Sequence, residues 1–214
     1  MLNYEESTHT YSKDGRVIPS VTQISSRIAV RESNDGDWKS ISGSEFIVDQ
    51  KKTSTFGTEF HKVPPILLSG REASYDKKLE PWVKCFWDFL TDYNLMCLVG
   101  QMAGQKYFIT ELPLYSKLGY AGTPDWFYSD GKVSRLIDWK TSTKINLKTT
   151  RMQTAAYTNL IKEYLSLRSN AKIERWTVRL DPDYPKGYEV DKRLNESEDW
   201  SMFLSCLNVY KNFI

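Results

Sequence analysis

Apolar and polar positions alternate through three runs, roughly residues 105–115, 121–128 and 133–140. A period of two predicts strands. Asp130-Gly131 separates the last two runs, and such a dipeptide between strands predicts a hairpin turn. Ahead of them, Pro81 opens a segment in which Trp82, Cys85, Phe86, Phe89, Leu90 and Tyr93 recur at helical spacing. Leu147 to Leu167 reads as a second long helix, Lys172 to Leu180 alternates as a strand, and residues 181–192 read as a Pro/Gly/Asp loop. A helix from about Glu196 to Asn212 closes the chain. At the other end, Thr8, Thr10 and Tyr11 lead into Asp14-Gly15 and out through Val17-Ile18, a small hairpin. Ser20 is placed to cap a helix carrying Val21, Ile24 and Ile28. A short helix near Thr58–His61 runs into Pro64-Pro65, which must break or kink it. Residues 31–56 are polar and rich in Ser, Gly and Lys, and read as a long loop or short helices.

Helix, strands, helix, strand is the order of an α/β (α+β) fold, with one central mixed β-sheet flanked by helices. A length of 214 residues suits one domain, 1–214. Its expected parts are a mostly helical stretch over about 1–100, the sheet and its helix over about 101–181, and a C-terminal helix within 182–214. Hydrophobic residues make up 40% and charged residues 26%, which excludes disordered and low-complexity classes. No apolar run approaches ~20 residues, so neither a spanning helix nor a membrane partner is expected. The first ten residues carry no signal or transit pattern. Cys85, Cys97 and Cys206 are odd in number and far apart, which points to a reducing, intracellular setting. Three cysteines also exclude a four-cysteine iron–sulfur cluster within the chain. The net charge is only +2, yet residues 132–193 hold 14 Lys+Arg against 7 Asp+Glu. That stretch is either a polyanion-binding face or a solvated helix surface.

The stretch Gly119 to Thr143 carries the most chemistry. With a two-residue loop at Asp130-Gly131, Ser129 faces Lys132 and Asp125 faces Leu136. Asp138 is then a diagonal neighbour of Asp125, roughly 7–8 Å away. Residues 136, 138 and 140 share that face, so Asp125, Asp138 and Lys140 come together. Close carboxylates repel unless a cation lies between them. Lys140 supplies part of that charge, and a hard divalent ion with oxygen ligands supplies more. The competing reading is a salt bridge on an exposed sheet face.

Gly122-x-x-Asp125, a hairpin, then Asp138-x-Lys140 resembles the PD-(D/E)XK nucleases. Flanking residues narrow the likeness to the RecB-like exonuclease branch. Gly57-Thr58-x-x-His61 resembles its first motif, Glu111-x-Pro113 the glutamate of the strand before the aspartate, and Gln153-x-x-x-Tyr157 its Q-x-x-x-Y motif. The opening Tyr11…Gly15…Ile18-Pro19-Ser20-Val21-Thr22 is similar to the start of phage and mitochondrial exonucleases of this type. The resemblance spans about residues 10–180 and implies a restriction-endonuclease-like core with a helical N-terminal elaboration. It implies one or two Mg²⁺ or Mn²⁺ ions held by His61, Asp125, Asp138 and the main-chain carbonyl of Trp139. Lys140 would orient or activate the attacking water, and Glu111 would reach a second metal or orient the ligands. The catalytic set is thus Asp125, Asp138, Lys140, His61 and Glu111. Gln153 and Tyr157 share one helical stripe aimed at the sheet, and are expected to contact DNA. Thr141 and Ser142 either hold a phosphate or cap the next helix. Trp38 and Phe46, aromatic residues in a polar stretch, are candidates to stack on bases, whereas Phe56, Phe60, Trp82 and Trp87 suit a core.

The function so implied is a metal-dependent DNA exonuclease acting on single strands or strand ends, in replication, recombination or repair. A restriction-type or structure-specific endonuclease and a non-catalytic nucleic-acid-binding module are the alternatives. The chain has no G-x-x-x-x-G-K-[ST] loop, so a helicase, annealing or single-strand-binding partner would be a separate protein. If phage-encoded, the protein would work in the cytoplasm of a bacterial host.

Overall fold

Ile137 and Trp139 are as fully buried as Leu136 and Asp138, although they point to opposite sides of one strand. Only a central strand covered on both faces allows this. The computed structural model describes residues 2–5, 8, 10–26, 31–32, 38–39, 56–100, 105–194 and 197–213. Its strands are β1 (Leu2–Glu5), β2 (Thr10–Lys13), β3 (Arg16–Ile18), β4 (Arg31–Glu32), β5 (Trp38–Lys39), β6 (Phe108–Thr110) and β7 (Leu114–Ser116). There follow β8 (Tyr120–Gly122), β9 (Trp126–Ser129), β10 (Ser134–Lys140), β11 (Glu174–Leu180) and β12 (Tyr188–Arg193). The helices are α1 (Val21–Ser26), α2 (residues 56–61), α3 (Val63–Leu68), α4 (Glu80–Asp92), α5 (Leu147–Leu165) and α6 (Ser197–Phe213).

The central sheet has five strands in the order β12-β11-β10-β9-β6. It is mixed: β10 and β11 run parallel, and the other pairs are antiparallel. On one face Trp126, Ile137, Trp139, Trp176 and Val178 pack against Phe60 of α2, Leu68 of α3 and Phe86 and Phe89 of α4. On the other, Phe127 and Leu136 pack against Val21 and Ile24 of α1, Met152, Ala156 and Leu160 of α5, and Phe203 of α6. The α+β architecture, a mixed sheet between helices, is therefore the one its patterning predicts. Among the described residues no helix is long and apolar enough to cross a membrane.

Local chemistry sets the boundaries. Asp14 and Gly15 both have positive φ, 52° and 77°, as a two-residue hairpin turn demands, and Lys13 pairs with Arg16 across it. Ser20 Oγ accepts from Gln23 N–H and Gln23 Oε1 accepts from Ser20 N–H, both at 3.0 Å, a reciprocal cap that starts α1. Pro64 and Pro65 fall at the first positions of α3, where a missing N–H costs nothing. The preceding helix therefore stops at His61, with a turn at Lys62.

Several expectations need correction. The 105–115 run is two strands, because Glu111 takes a left-handed φ of 46° and Pro113 follows. The outer piece, β7, pairs with β8 in a separate hairpin. The β9–β10 loop has four residues, not two: Ser129 pairs with Ser134, and Asp130 Oδ1 accepts from the N–H groups of Lys132 and Val133 at 2.8 Å each. Register moves by two, so Phe127, not Asp125, faces Leu136. An even shift keeps every side chain on its expected face. The N-terminal part is not mostly helical at its start, since β1 joins β2 and β3 in a three-stranded sheet. β12, most of it within the 181–192 stretch expected as loop, forms an edge strand on β11, and so the last segment is more than a helix. Its charged residues mask the alternation, as is common at edges. Part of the basic stretch is neutralised by ion pairs: Arg135 with Glu174, Arg151 and Arg193 with Asp191, Arg175 with Asp199, and Arg179 with Glu189.

Candidate active site

The β9–β10 ladder ends with Ile137 and Trp126, and the next residues are Asp138 on β10 and Asp125 just before β9. The gap is bridged by side chain rather than by backbone. Asp125 Oδ2 accepts from the Trp139 N–H at 2.7 Å, which fixes that carboxylate. A strand residue's N–H and C=O point to the same edge, so the Trp139 carbonyl is turned to the same side. The Trp139 ring lies on the opposite face, edge-on to Phe86 and Phe89. Asp138 Oδ2 pairs with Lys140 Nζ at 2.7 Å.

Two further segments complete the cluster. Glu111 is held in its left-handed conformation by its N–H, which donates to the carbonyls of Pro124 and Asp125 at 3.1 and 3.2 Å. Left-handed backbone at a charged residue costs about 1–3 kcal/mol and concentrates at functional sites. His61, the last residue of α2, places Nδ1 3.3 Å from Glu111 Oε1 and 3.4 Å from Asp125 Oδ1. One ligand atom from each of His61, Glu111 and Asp125 lies within 4.8 Å of the others.

The electrostatics follow from crowding these groups away from water. Burial would lower the His61 pKa, but the Asp125 and Glu111 carboxylates outweigh it and raise it to about 10. Burial raises Glu111 to about 7, against the opposing pull of His61. Burial likewise raises Asp138 to about 6, with Lys140 opposing and Asp125 adding. Asp125 is held below the usual carboxylate range: burial would raise it, but His61, Lys140 and the Trp139 N–H prevail. Lys140 is raised, since Asp138 and Asp125 overcome the cost of burial.

These groups open onto a cleft of about 840 Å³, lined also by Gly57, Thr58, Lys62, Pro113, Thr123 and Tyr157. A methyl on Gly57 would only touch Thr141 Oγ1 at 3.6 Å, so no described neighbour demands a glycine there. Tyr157 of α5 lines the cleft together with Thr22 of α1. Gln153, one turn earlier, is buried but does not line the cleft. Nor do Thr141 and Ser142, and Ser142 Oγ donates instead to the Lys144 carbonyl at 2.9 Å. They do not cap α5 either, because Asn146 does, its Oδ1 accepting from Thr149 N–H. Trp38 sits in the short β5, with its side chain outside the described residues, and Phe46 lies outside them altogether. Phe56 packs edge-on against Trp82, and Phe60 is fully buried in the core.

Sequence reasoning assigned no role to Tyr4, Tyr11, Thr22 and Thr123, which line the same cleft. Tyr11 and Thr22 stand within the opening motif, but only tertiary packing brings them to Asp125. Arg175 was also missed as a structural centre. It is 1% exposed, pairs with Asp199 at 2.7 Å and donates to the Arg151 carbonyl at 2.9 Å, joining β11 to α5 and α6.

The donor set suits a hard divalent cation: carboxylate oxygens, one imidazole nitrogen and a main-chain carbonyl. No protein-family model matches the chain, and no curated protein matches it.

Proposed function

We propose that this protein is a metal-dependent nuclease of the PD-(D/E)XK type, a DNA exonuclease of the RecB-like branch acting on single strands or strand ends. One observation carries the reading. His61 of α2 and Glu111 of the bend after β6 join Asp125, Asp138 and Lys140 of one hairpin, and the fold gathers all five at its open end, in one cleft. The topology supports it too, with a mixed sheet whose central antiparallel hairpin bears both aspartates.

In this reading His61, Asp125, Asp138 and the Trp139 carbonyl hold Mg²⁺ or Mn²⁺, with Glu111 beside them. A bound divalent ion supplies the positive charge that lets an anionic phosphodiester approach two carboxylates and that favours a deprotonated water. The chain's own groups do the rest. Asp125, fixed by the Trp139 N–H, keeps one carboxylate oxygen aimed at His61. Lys140, held protonated beside Asp138, is placed to orient the attacking water and donate to the phosphoryl oxygens as charge builds there. An annealing, helicase or single-strand-binding partner would be a separate protein.

The test is degradation of labelled linear and circular single-stranded DNA with Mg²⁺, Mn²⁺ or EDTA, comparing wild type with Lys140→Ala and Asp125→Ala. Loss of the linear strand alone, abolished by EDTA and by both substitutions, is the expected result. Cutting of the circle replaces the exonuclease with an endonuclease. Retardation of DNA in a gel with no degradation under any metal leaves only a binding module.

A further inference from the structure

The cleft has two chemically different parts to its lining, and the carboxylate cluster is only one of them. The other is built by the N-terminal three-stranded sheet. Tyr4 of β1 and Tyr11 of β2 are direct cross-strand partners, and their rings stack with centroids 4.6 Å apart and planes at 28°. Tyr11 is the buried member, and its hydroxyl lies 2.7 Å from Thr123 Oγ1. Tyr4 is the more exposed, and both rings line the cleft with Asp125, Asp138 and Lys140. A cross-strand aromatic pair strengthens any hairpin by a few tenths to ~1 kcal/mol. That explains the stacking but not the position of both residues in a cleft that also holds a carboxylate cluster.

We infer that Tyr4, backed by Tyr11, is the stacking platform for the base of the nucleotide whose phosphate lies at Asp125, Asp138 and Lys140. The inference rests on the nuclease reading above. A nucleotide has one anionic end and one flat aromatic end, and this cleft offers a partner for each. Thr123, which anchors Tyr11, is two residues from Asp125, so the Cα atoms of Thr123 and Asp125 lie at most about 7 Å apart. The platform is specific for unpaired nucleotides, because a base within a duplex has no free face to offer. Tyr11 acts as a positioning residue, holding the ring of Tyr4 from behind and Thr123 from the side.

The experiment uses the full chain with Mn²⁺ and linear single-stranded DNA. Wild type is compared with Tyr4→Ala, Tyr4→Leu and Tyr4→Trp. Leu keeps an apolar side chain in β1 without a π face, and thermal melting of each variant reports the fold. Stopped-flow quenching of a terminal 2-aminopurine reports stacking before hydrolysis. Expected are a KM increase of roughly 5- to 100-fold for Ala and Leu with kcat little changed, recovery with Trp, and lost quenching. On a strand with an abasic end nucleotide, wild type and Tyr4→Leu should become equal. The platform is overturned if Tyr4→Leu degrades and quenches the normal strand like wild type, or if its deficit is as large on the abasic strand. In both cases wild-type degradation keeps the nuclease reading intact. If wild type neither binds nor degrades the strand, that reading falls and the platform falls with it.

Discussion

Gly122→Ala isolates how tightly the sheet, α1 and α5 meet behind the active site. A Cβ at residue 122 would sit 2.8 Å from Tyr157 Cε1, 2.9 Å from Val21 Cγ2 and 3.2 Å from Leu160 Cδ1. Gly122 is not among the glycines with positive φ, so alanine meets no backbone strain there. Replacing a glycine in an ordinary conformation should even stabilise by ~0.4–1 kcal/mol, by restricting the unfolded chain. Crowding works against this. Two contacts lie about half an ångström inside ordinary van der Waals distance, and all three neighbours are buried, Val21 and Leu160 fully. Inserting a methylene into a packed core costs about 1–3 kcal/mol. The net expectation is a loss of about 1–2 kcal/mol, or ~2–8 °C in Tm for a domain of this size. Gly131→Ala is the matched control: φ there is +85° and nothing lies within 4 Å, so its loss of ~1 kcal/mol comes from backbone conformation alone. Urea melts of both variants, with Gly122→Ala repeated in a Leu160→Ala background, separate the two causes. Relief of the Gly122→Ala penalty in that background is expected, because Leu160 is one of the crowding groups. A Gly122→Ala protein as stable as wild type would refute the packing argument. The crowding should also displace the Tyr157 ring and lower activity more than Gly131→Ala does.

Other outcomes follow from the same geometry. Asp199→Ala should cost ~3–5 kcal/mol in a urea melt, since it leaves the fully buried Arg175 guanidinium without its carboxylate. With EDTA present, stability should fall as pH rises from 5 to 7.5. Asp138, Glu111 and His61 all have folded pKa values above their unfolded ones, at about 6, 7 and 10, so each favours the fold most when protonated. For Asp138 the contribution is full below about pH 4 and is lost through pH 6, and Asp138→Asn should flatten that part of the melting profile. Mn²⁺ binding at pH 7.5 should release about one proton, from His61, visible as a buffer-dependent heat in calorimetry, and the release should vanish in His61→Ala. A Mn²⁺ affinity independent of pH between 6 and 8 would contradict this.

The sequence alone determined the face on which each hairpin residue lies. Side-chain alternation has a period of two, so Asp125, Asp138 and Lys140 shared a side even though the loop was misjudged by two residues. It also determined the Asp14-Gly15 turn, the Ser20 cap and the break at Pro64-Pro65, because those depend on groups within a few residues of one another. What it could not decide was distance. Asp138 became a direct rather than a diagonal neighbour of Asp125 only because Asp130 folded the loop onto its own carboxylate. Glu111 came into reach through a left-handed bend held by the carbonyls of Pro124 and Asp125, which no local pattern announces. The placement of Gln153, buried yet off the cleft, depended on how α5 is rolled against the sheet. Tyr4 and Tyr11 reached the site because an edge of the N-terminal sheet packs at residue 121, where the Ala121 N–H donates to the Pro19 carbonyl at 3.0 Å. Local propensities act over a few residues, whereas these contacts join segments many residues apart, and only the packing of the whole fold brings them within ångströms.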